Sequence, residues 1–265
     1  MTLKVRLSHN PTLRRTAVGI AMVAACASAS AALPPFTFNP GGSALIGPSF
    51  TGDNLLISDY STVQQDGVGG FTDTGFLSIS AIQLAGSTFT PTGLNSTYGM
   101  YIKYQGKGTT TPGLPVSVTT VGSFTELTYT LFGYNGPATF GFSGNTPTES
   151  ASGEVTLATG TLVSGNAVTI PTGDGLTFTP SATAKLNFVV TPGQEAFFAS
   201  PNPFYNLAFA AFTNTTTQVE AFDGGFRIRQ GGGALNFAMI PEPESYALML
   251  AGLAAVGFVS RRLRT

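Results

Sequence analysis

The fold class is clearest in one stretch, Phe124-Thr125-Glu126-Leu127-Thr128-Tyr129-Thr130-Leu131-Phe132. From Leu127 to Leu131 apolar residues fall on every other position, with threonine between them, and Phe124 and Phe132 lie on either side of this run. A period of two is typical of a β-strand that buries one face and exposes the other. Residues 76–82 and 184–190 repeat the pattern, so we predict a fold built from such strands.

Short apolar or alternating runs, separated by Gly, Pro, Asn and Asp, continue along the whole central region. They predict about eleven strands, at residues 55–57, 76–82, 100–104, 116–121, 124–132, 139–142, 154–158, 184–190, 205–210, 226–229 and 234–237. Turn residues predict loops at 64–70, 106–115, 135–137, 143–153 and 171–175, and a glycine-rich end of the fold at 224–233. No stretch sustains a helical period with caps. We therefore predict an all-β fold, an antiparallel β-sandwich-like single domain.

Composition supports this prediction and narrows the function. The chain of 265 residues contains 33 Gly and 21 Phe but no Trp, and only 9% of its residues are charged. Threonine and phenylalanine suit a pleated, half-buried surface. Residues 33–240 hold five basic and eleven acidic side chains, a net charge of −6, because the other basic residues lie near the two ends. An acidic region without a basic stripe argues against binding of nucleic acid.

Cysteine and histidine are confined to the beginning of the sequence. The only cysteine is Cys26 and the only histidine is His9. The central region therefore has no disulfide, no thiolate or histidine ligand for a metal, and no cysteine nucleophile. These absences exclude most catalytic and zinc chemistry from that region.

Residues 1–31 have the three parts of a signal peptide in order. Four basic residues come first, residues 16–26 are apolar, and the small residues of 27–31 fit a cleavage site. The apolar stretch is too short to cross a bilayer of about 30 Å, which argues against a retained membrane helix. Val23-Ala24-Ala25-Cys26 also resembles a lipobox, so lipidation of Cys26 stays open as an alternative.

Residues 240–265 form a second segment with three parts. Pro241-Glu242-Pro243 fixes an extended backbone with no amide donor at either proline, which leaves a peptide available to an enzyme cleft. An apolar run follows at 246–260, and as a helix it would span a bilayer only marginally. Arg261, Arg262 and Arg264 would hold the end of the chain on the cytoplasmic side.

This tail resembles the PEP-CTERM sorting signal of Gram-negative bacteria. The resemblance implies that an exosortase, a polytopic membrane protein, recognises Pro241, Glu242 and Pro243 and cleaves near them. It also implies that residues 246–260 anchor the chain transiently in the inner membrane, and that Arg261, Arg262 and Arg264 stop its transfer. The implied organisation is a signal peptide at 1–31, an extracellular β-rich domain at 32–239 and a sorting signal at 240–265. The alternative is an ordinary single-pass tail with a chance Pro-Glu-Pro.

Four aspartates lie close together in the sequence, six or seven residues apart, at Asp53, Asp59, Asp66 and Asp73. Oxygen-rich loops of exported proteins can hold calcium, but this spacing matches neither an EF-hand nor a calcium-binding β-helix repeat. We therefore expect aspartates of turns and caps, with a calcium site as the alternative and no other cofactor.

Two groups of residues are candidates for acting on sugars or binding them. A glycosidase needs a pair of carboxylates, and nothing in the sequence marks two partners among Glu126, Glu149, Glu154, Asp174 and Glu195. Exposed tyrosine rings stack on sugars, whereas half-buried strand tyrosines do not. We expect half-buried strand tyrosines, and not exposed sugar-binding rings, at Tyr98, Tyr101, Tyr104, Tyr129 and Tyr134. Tyr101 and Ile102 are expected to face opposite sides of one strand.

The central region is also similar to the PepA group of flocculation-associated PEP-CTERM proteins. The segments that carry this similarity are residues 50–55, 93–101, 202–209 and 232–237. It implies a non-catalytic protein of the cell surface or extracellular matrix that promotes flocculation or biofilm aggregation, with exopolysaccharide or other surface proteins as partners. Its mechanism would be many weak contacts by Thr, Asn and Tyr on strand faces. The alternatives are an exported polysaccharide-acting hydrolase and a structural carrier of glycans, attached near 109–111 and 213–217.

Overall fold

The computed structural model describes residues 32–111 and 117–239, together with Leu253. Residues 33–239 within these ranges belong to one compact unit of the chain. The predicted signal peptide with Cys26 and the predicted sorting signal lie outside the described residues, apart from Leu253. The strand predicted at 116–121 falls partly outside them, and its last two residues belong to a longer strand.

Sixteen β-strands and two short 3-10 helices are found in the described residues. The strands are β1 Phe36–Phe38, β2 Phe50–Gly52, β3 Asn54–Gln65, β4 Gly70–Leu84, β5 Ser87–Phe89, β6 Tyr98–Thr110, β7 Thr120–Asn135, β8 Phe140–Ser143, β9 Thr146–Glu149, β10 Val155–Pro171, β11 Phe178–Asn187, β12 Val189–Val190, β13 Phe198–Ser200, β14 Leu207–Thr213, β15 Val219–Phe222 and β16 Gly225–Ala238. The 3-10 helices are Pro40–Gly42 and Thr216–Gln218.

Eight long strands form one closed antiparallel barrel. Strands β3, β4, β6, β7, β10, β11, β14 and β16 each pair with the next of the set along the chain. The ring closes because β16 also pairs with β3, from Gly225 opposite Gln64 to Leu235 opposite Leu55. Strands β1, β2 and β13 form a separate small sheet, and β8 pairs only with β9.

The prediction of an all-β, antiparallel fold is confirmed, but the prediction of a sandwich-like arrangement is wrong. A sandwich keeps two sheets with separate edges. Here the pairing of β16 with β3 joins the two edges of a single sheet. An alternating sequence indicates that a strand buries one of its faces, and strands of barrels and of sandwiches both do so. The pattern therefore could not distinguish them.

The barrel strands are longer than the predicted runs because glycines that suggested loops lie inside them. β16 contains residues 225–233 of the glycine-rich segment 224–233, and β10 continues through Gly160. A Cβ atom at Gly160 would lie 2.4 Å from the ring of Tyr129, and one at Gly233 would lie 2.4 Å from the ring of Phe212. These glycines make room for aromatic rings of neighbouring strands.

Two predicted loops also contain strand. Residues 106–110 belong to β6, and the segment 143–153 contains β9. The alternation in β7 slips by one residue at Thr125, because Phe124 lies opposite Gly108 while Glu126 lies opposite Lys107. This β-bulge keeps both Phe124 and Leu127 facing the barrel interior.

One end of the barrel is filled by a cluster of aromatic rings, which we call the plug and define as Phe36, Phe38, Phe188, Phe197, Phe198, Phe204 and Phe237. β1 and β13 bring rings of the plug to the end where β3 begins and β16 finishes. Phe38 is fully buried, and its ring lies 4.7–6.1 Å from six other phenylalanine rings. Tyr205 Oη donates a hydrogen bond to Pro35 O at 2.8 Å, which ties the first described residues to a distant part of the chain.

The β8–β9 hairpin packs on the outer wall of the barrel. The ring of Phe140 lies 5.5 Å from that of Tyr101 and 5.9 Å from that of Tyr60. Thr62 Oγ1 donates a hydrogen bond to Asn145 O, and Arg227 donates one to Gly144 O. The hairpin therefore buries outward-facing rings of β3 and β6.

Candidate functional site

The half of the barrel away from the plug contains a partly enclosed cavity of about 100 Å³. All eight barrel strands contribute to its lining. Most of the lining is apolar, with Leu77, Ile102 and Leu186 as examples. Small side chains on β11 and β14, such as Ala184 and Ala210, leave the space open on one side. Eight-stranded barrels of this size are wide enough to fill with side chains or to hold one small ligand.

Two aspartates and a tyrosine form an acidic corner of this cavity. β3 directs Asp59 inward, β4 directs Asp73 inward, and β6 directs Tyr104 inward. Tyr104 Oη donates a hydrogen bond to Asp73 Oδ1 at 2.9 Å. Asp59 is 4% exposed. We call Asp59, Asp73 and Tyr104 the acid corner.

The environment of the acid corner favours the neutral form of each of its groups. Burial raises the pKa of Asp73 to about 7, although the hydrogen bond from Tyr104 acts in the opposite direction. Burial raises the pKa of Asp59 well above its usual range, and the neighbouring charge of Asp73 raises it further. Burial also raises the pKa of Tyr104. Both carboxyl groups therefore hold a proton to higher pH than an ordinary aspartate does, and Asp73 ionises near neutrality.

The first prediction concerns the dependence of stability on pH. A carboxyl group with a raised folded-state pKa stabilises the fold below its unfolded pKa, and this stabilisation is lost as the pH rises through the folded pKa. For Asp73 the window runs from its ordinary value of 3.8 to about 7. The free energy of unfolding should therefore decrease between these values. Asp73→Asn should flatten the profile and stabilise the protein at pH 8 by up to about 4 kcal/mol.

Urea unfolding followed by circular dichroism at pH 5 and pH 8 measures this effect. Glu126→Gln is the matched control, because Glu126 is exposed and pairs only with Lys107 at 3.4 Å. The control should keep the profile of the unchanged protein. Equal pH profiles for Asp73→Asn and the unchanged protein would show that Asp73 ionises normally.

Several buried polar atoms in the lumen have no hydrogen-bond partner within the described part of the chain. They include Asp59 Oδ1 and Asn214 Oδ1. Ser61 follows Asp59 on the same face of β3, and its hydroxyl group acts to lower the pKa of both Asp59 and Tyr104. Asn214 lies just after β14 and lines the cavity. Buried polar groups are normally paired, so the two unpaired atoms offer unused hydrogen-bonding capacity to whatever occupies the cavity.

The four aspartates considered for calcium do not converge. Asp53 accepts a hydrogen bond from the Ala85 amide at the plugged end, and Asp66 accepts two in the turn after β3. Asp59 and Asp73 alone come together, inside the barrel. No group of three metal-ligating His, Cys, Asp or Glu side chains occurs in residues 32–111 and 117–239. Turn and cap roles thus fit Asp53 and Asp66, but not Asp59 and Asp73.

The five carboxylates considered for a glycosidase pair are mostly spread over the surface. Glu195 and Asp174 accept hydrogen bonds within their own turns, from Gly193 and Leu176 respectively. Glu126 forms a surface ion pair. Glu149 and Glu154 share a neighbourhood, since the charges of both raise the pKa of Tyr101. Glu154 accepts a hydrogen bond from Tyr101 Oη at 3.0 Å beside the β8–β9 hairpin.

The five clustered tyrosines are not exposed platforms for sugar rings. Tyr98, Tyr101, Tyr129 and Tyr134 are each at most 4% exposed, and Tyr104 faces the lumen. Tyr101 packs under the hairpin on the outside while Ile102 lines the cavity, so the two do face opposite sides of one strand. The expectation that these tyrosines are strand residues with at least partial burial is confirmed.

A second feature lies on the outer wall, where uncharged polar side chains align in rows across neighbouring strands. Thr161, Thr128 and Gln105 lie opposite one another on β10, β7 and β6. Thr159 and Thr130 form the next row, which continues to the exposed Lys103 on β6. A further row crosses four strands, from Thr183 through Asn166 and Ser123 to Thr109. We call this surface the hydroxyl wall and define it as Thr109, Ser123, Thr128, Thr130, Thr159, Thr161, Asn166 and Thr183.

Sequence reasoning did not identify the acid corner. Asp59 shares the phase of Ile57 on β3, and Asp73 shares the phase of Leu77 on β4. A charged residue on the buried face of an alternating strand is the signal that could have identified both. The loop predicted at 64–70 is confirmed only for residues 66–69, because β3 continues to Gln65 and β4 begins at Gly70.

Comparison with known proteins identifies the tail alone. Residues 240–264 match the PEP-CTERM protein-sorting motif, which implies an exported protein that an exosortase processes and that is sorted to the cell surface. No curated protein and no solved structure matches the chain. Within the described ranges, no helix has the length and apolar character needed to cross a membrane. The individual roles of Pro241, Glu242, Pro243 and the three terminal arginines stay predictions.

Proposed function

We propose that this chain is a non-catalytic protein of the cell surface or extracellular matrix that binds exopolysaccharide and so promotes flocculation or biofilm aggregation. The observation that carries this proposal is the hydroxyl wall. Export and sorting by an exosortase follow from the motif at 240–264. The flocculation role draws its support from the similarity of the central segments to flocculation-associated PEP-CTERM proteins.

The hydroxyl wall suits a neutral, repetitive polymer. Its rows cross β-strands that lie about 4.8 Å apart, so donors and acceptors recur at a fixed spacing. Seven of its eight side chains are exposed and none of the eight is charged. Each hydrogen bond to a sugar hydroxyl contributes little in water, and affinity then comes from their number. Flat, rigid strands also lose little conformational entropy on binding.

Low charge density supports the same proposal. Only 9% of residues are charged, so copies of the protein repel one another weakly. Weak mutual repulsion favours accumulation in a matrix over free diffusion.

The second prediction tests the hydroxyl wall directly. Thr128→Val, Thr130→Val, Thr159→Val and Thr161→Val in one variant remove four hydroxyl groups and keep side-chain shape and strand preference. We expect at least about thirtyfold weaker binding to purified exopolysaccharide in co-sedimentation, because each of the four lost hydrogen bonds contributes about 0.5–1.5 kcal/mol. Cells that carry this variant should also settle more slowly.

The control carries serine at the same four positions, which keeps the hydroxyl groups. It should bind exopolysaccharide nearly as well as the unchanged protein. If the valine variant co-sediments as strongly as the serine variant, the wall is not the binding surface and the proposal loses its structural support.

The hydrolase is the second candidate, because the acid corner places two carboxyl groups with raised pKa in one cavity. A cavity of about 100 Å³ accepts no polymer chain, which favours the binding protein. The same sample decides between them: co-sedimentation without new reducing ends supports binding, and release of reducing ends would establish the enzyme. Added mass on threonines 109–111 or 213–217 in the intact protein would instead support a glycan carrier.

A further inference from the structure

We propose that the barrel cavity binds a small organic cation, an ammonium group on a compact apolar body, through the acid corner. This site is separate from the hydroxyl wall, and it does not depend on exopolysaccharide binding. The inference rests on unused acceptors in the lumen, on the absence of a countercharge there, and on the size and position of the cavity.

The acid corner has acceptor capacity that the protein itself does not use. Asp59 is 4% exposed, and its Oδ1 atom has no hydrogen-bond partner among the described residues. Ser61 is fully buried on the same strand face, and its hydroxyl group hydrogen-bonds within the acid corner, to Asp59 and Tyr104. Asp73 accepts only the hydrogen bond from Tyr104 at one of its oxygens. Together these groups can receive the several N–H donors of an ammonium group.

No side chain of the described residues supplies a positive charge to this corner. The cavity lining contains Asp59 and Asp73 but no lysine or arginine. The ion pairs found among residues 32–111 and 117–239 lie on the outer surface, where Lys107 pairs with Glu126, and Arg227 and Arg229 both pair with Glu220. A buried carboxylate is favourable only with a partner, so a cation that enters the lumen gains an interaction that the protein itself does not provide.

The rest of the cavity selects a compact apolar body. Phe71, Leu77, Ile102 and Leu186 line it, and burial of apolar surface adds affinity. An apolar cavity of about 150 Å³ holds the six carbon atoms of benzene, so a cavity of about 100 Å³ encloses about four non-hydrogen atoms, and the rest of a larger body lies in its opening.

The cavity has its polar rim at the end of the barrel away from the plug. Gln65, Thr110, Thr120 and Asn214 line the cavity and lie at strand ends there. The plug fills the opposite end, where β16 finishes at Ala238. The described polar rim of the cavity is therefore remote from Ala238.

The test compares benzylamine with its neutral isostere benzyl alcohol, using protein recovered from expressing cells after export. In isothermal titration at pH 8, benzylamine should bind at least about tenfold more tightly than benzyl alcohol, because charge-assisted hydrogen bonds are the stronger ones. Asp59→Asn combined with Asp73→Asn should remove that preference while both probes still enter. Ala184→Leu, which fills the cavity, should remove binding of both probes.

Dependence on pH gives a second readout. The titratable groups that line the cavity are Asp59 on β3, Asp73 on β4, Tyr104 on β6 and Tyr129 on β7. Asp73 ionises within the accessible range, and an amine, like lysine, stays protonated there. Affinity for benzylamine should therefore increase from pH 5.5 to pH 8, and affinity for benzyl alcohol should not.

Several outcomes overturn the proposal. They are no heat of binding with either probe, equal affinity for the two probes, and unchanged binding of benzylamine by the double asparagine variant. Circular dichroism of each variant verifies that it folds. If the double variant does not fold, the comparison of the two probes on the unchanged protein and on Ala184→Leu still decides the matter.

Discussion

Replacing Pro241, Glu242 and Pro243 with alanine is expected to leave the chain uncleaved at its C-terminus. The two prolines fix an extended backbone, and the glutamate supplies the only charge of the triplet. Alanine removes both properties and favours helix, which draws the peptide into the apolar segment that follows. Since a loss of about 1.4 kcal/mol in recognition already reduces binding tenfold, processed protein should fall below about a tenth of the normal amount.

Intact mass of protein recovered from the cell surface and the medium measures this processing. The unchanged protein should end near Pro243, and the alanine variant should retain Thr265 and stay with the membrane fraction. Glu244→Gln, just outside the triplet, is the control and should be processed normally. A variant that is trimmed and released like the control would show that the triplet is not the recognition element.

Phe38→Ala is expected to destabilise the barrel by about 3–5 kcal/mol, the usual cost of removing a buried phenylalanine ring. Phe38 is fully buried at the centre of the plug and contacts rings from β2, β13 and β16. Its removal leaves a cavity that rings held in three strands cannot fill without moving their backbones. The midpoint of thermal unfolding should fall by about 10 °C.

Far-UV circular dichroism during urea and heat unfolding measures this loss. The control is Phe89→Ala, because Phe89 lies in the short edge strand β5 and is 36% exposed. The control should cost less than about 1 kcal/mol. Similar losses for the two variants would mean that the plug adds no more stability than a surface ring.

The strands were predictable from the sequence where alternation was regular. The runs at 76–82 and 124–132 both lie inside barrel strands. Strand lengths were not predictable, because glycines such as Gly160 and Gly233 suggest turns in the sequence. Only the structure shows that they lie in strands beside the rings of Tyr129 and Phe212. Closure of the sheet depends on pairing between β3 and β16, which lie about 170 residues apart, and no local pattern reports such a contact.

The tail, the acid corner and the hydroxyl wall also differ in how far the sequence alone predicts them. The tail was predictable because its three parts are contiguous in the sequence and need no fold to be recognised. The acid corner was not, because Asp59 and Asp73 meet only when β3 and β4 pair and face the same lumen. The hydroxyl wall depends on register between strands, and single strands show only isolated threonines.

The pairing of β16, the last strand, with β3 also bears on the order of folding and processing during export. Until Ala238 has emerged, the sheet has two unpaired margins, each able to recruit a strand from a neighbouring molecule. Only Met239 separates β16 from the matched motif. Cleavage of the tail before β16 pairs with β3 would therefore release a protein whose barrel is still open. We therefore expect exosortase processing to follow closure of the barrel, because a chain released earlier would expose two sheet edges to its neighbours.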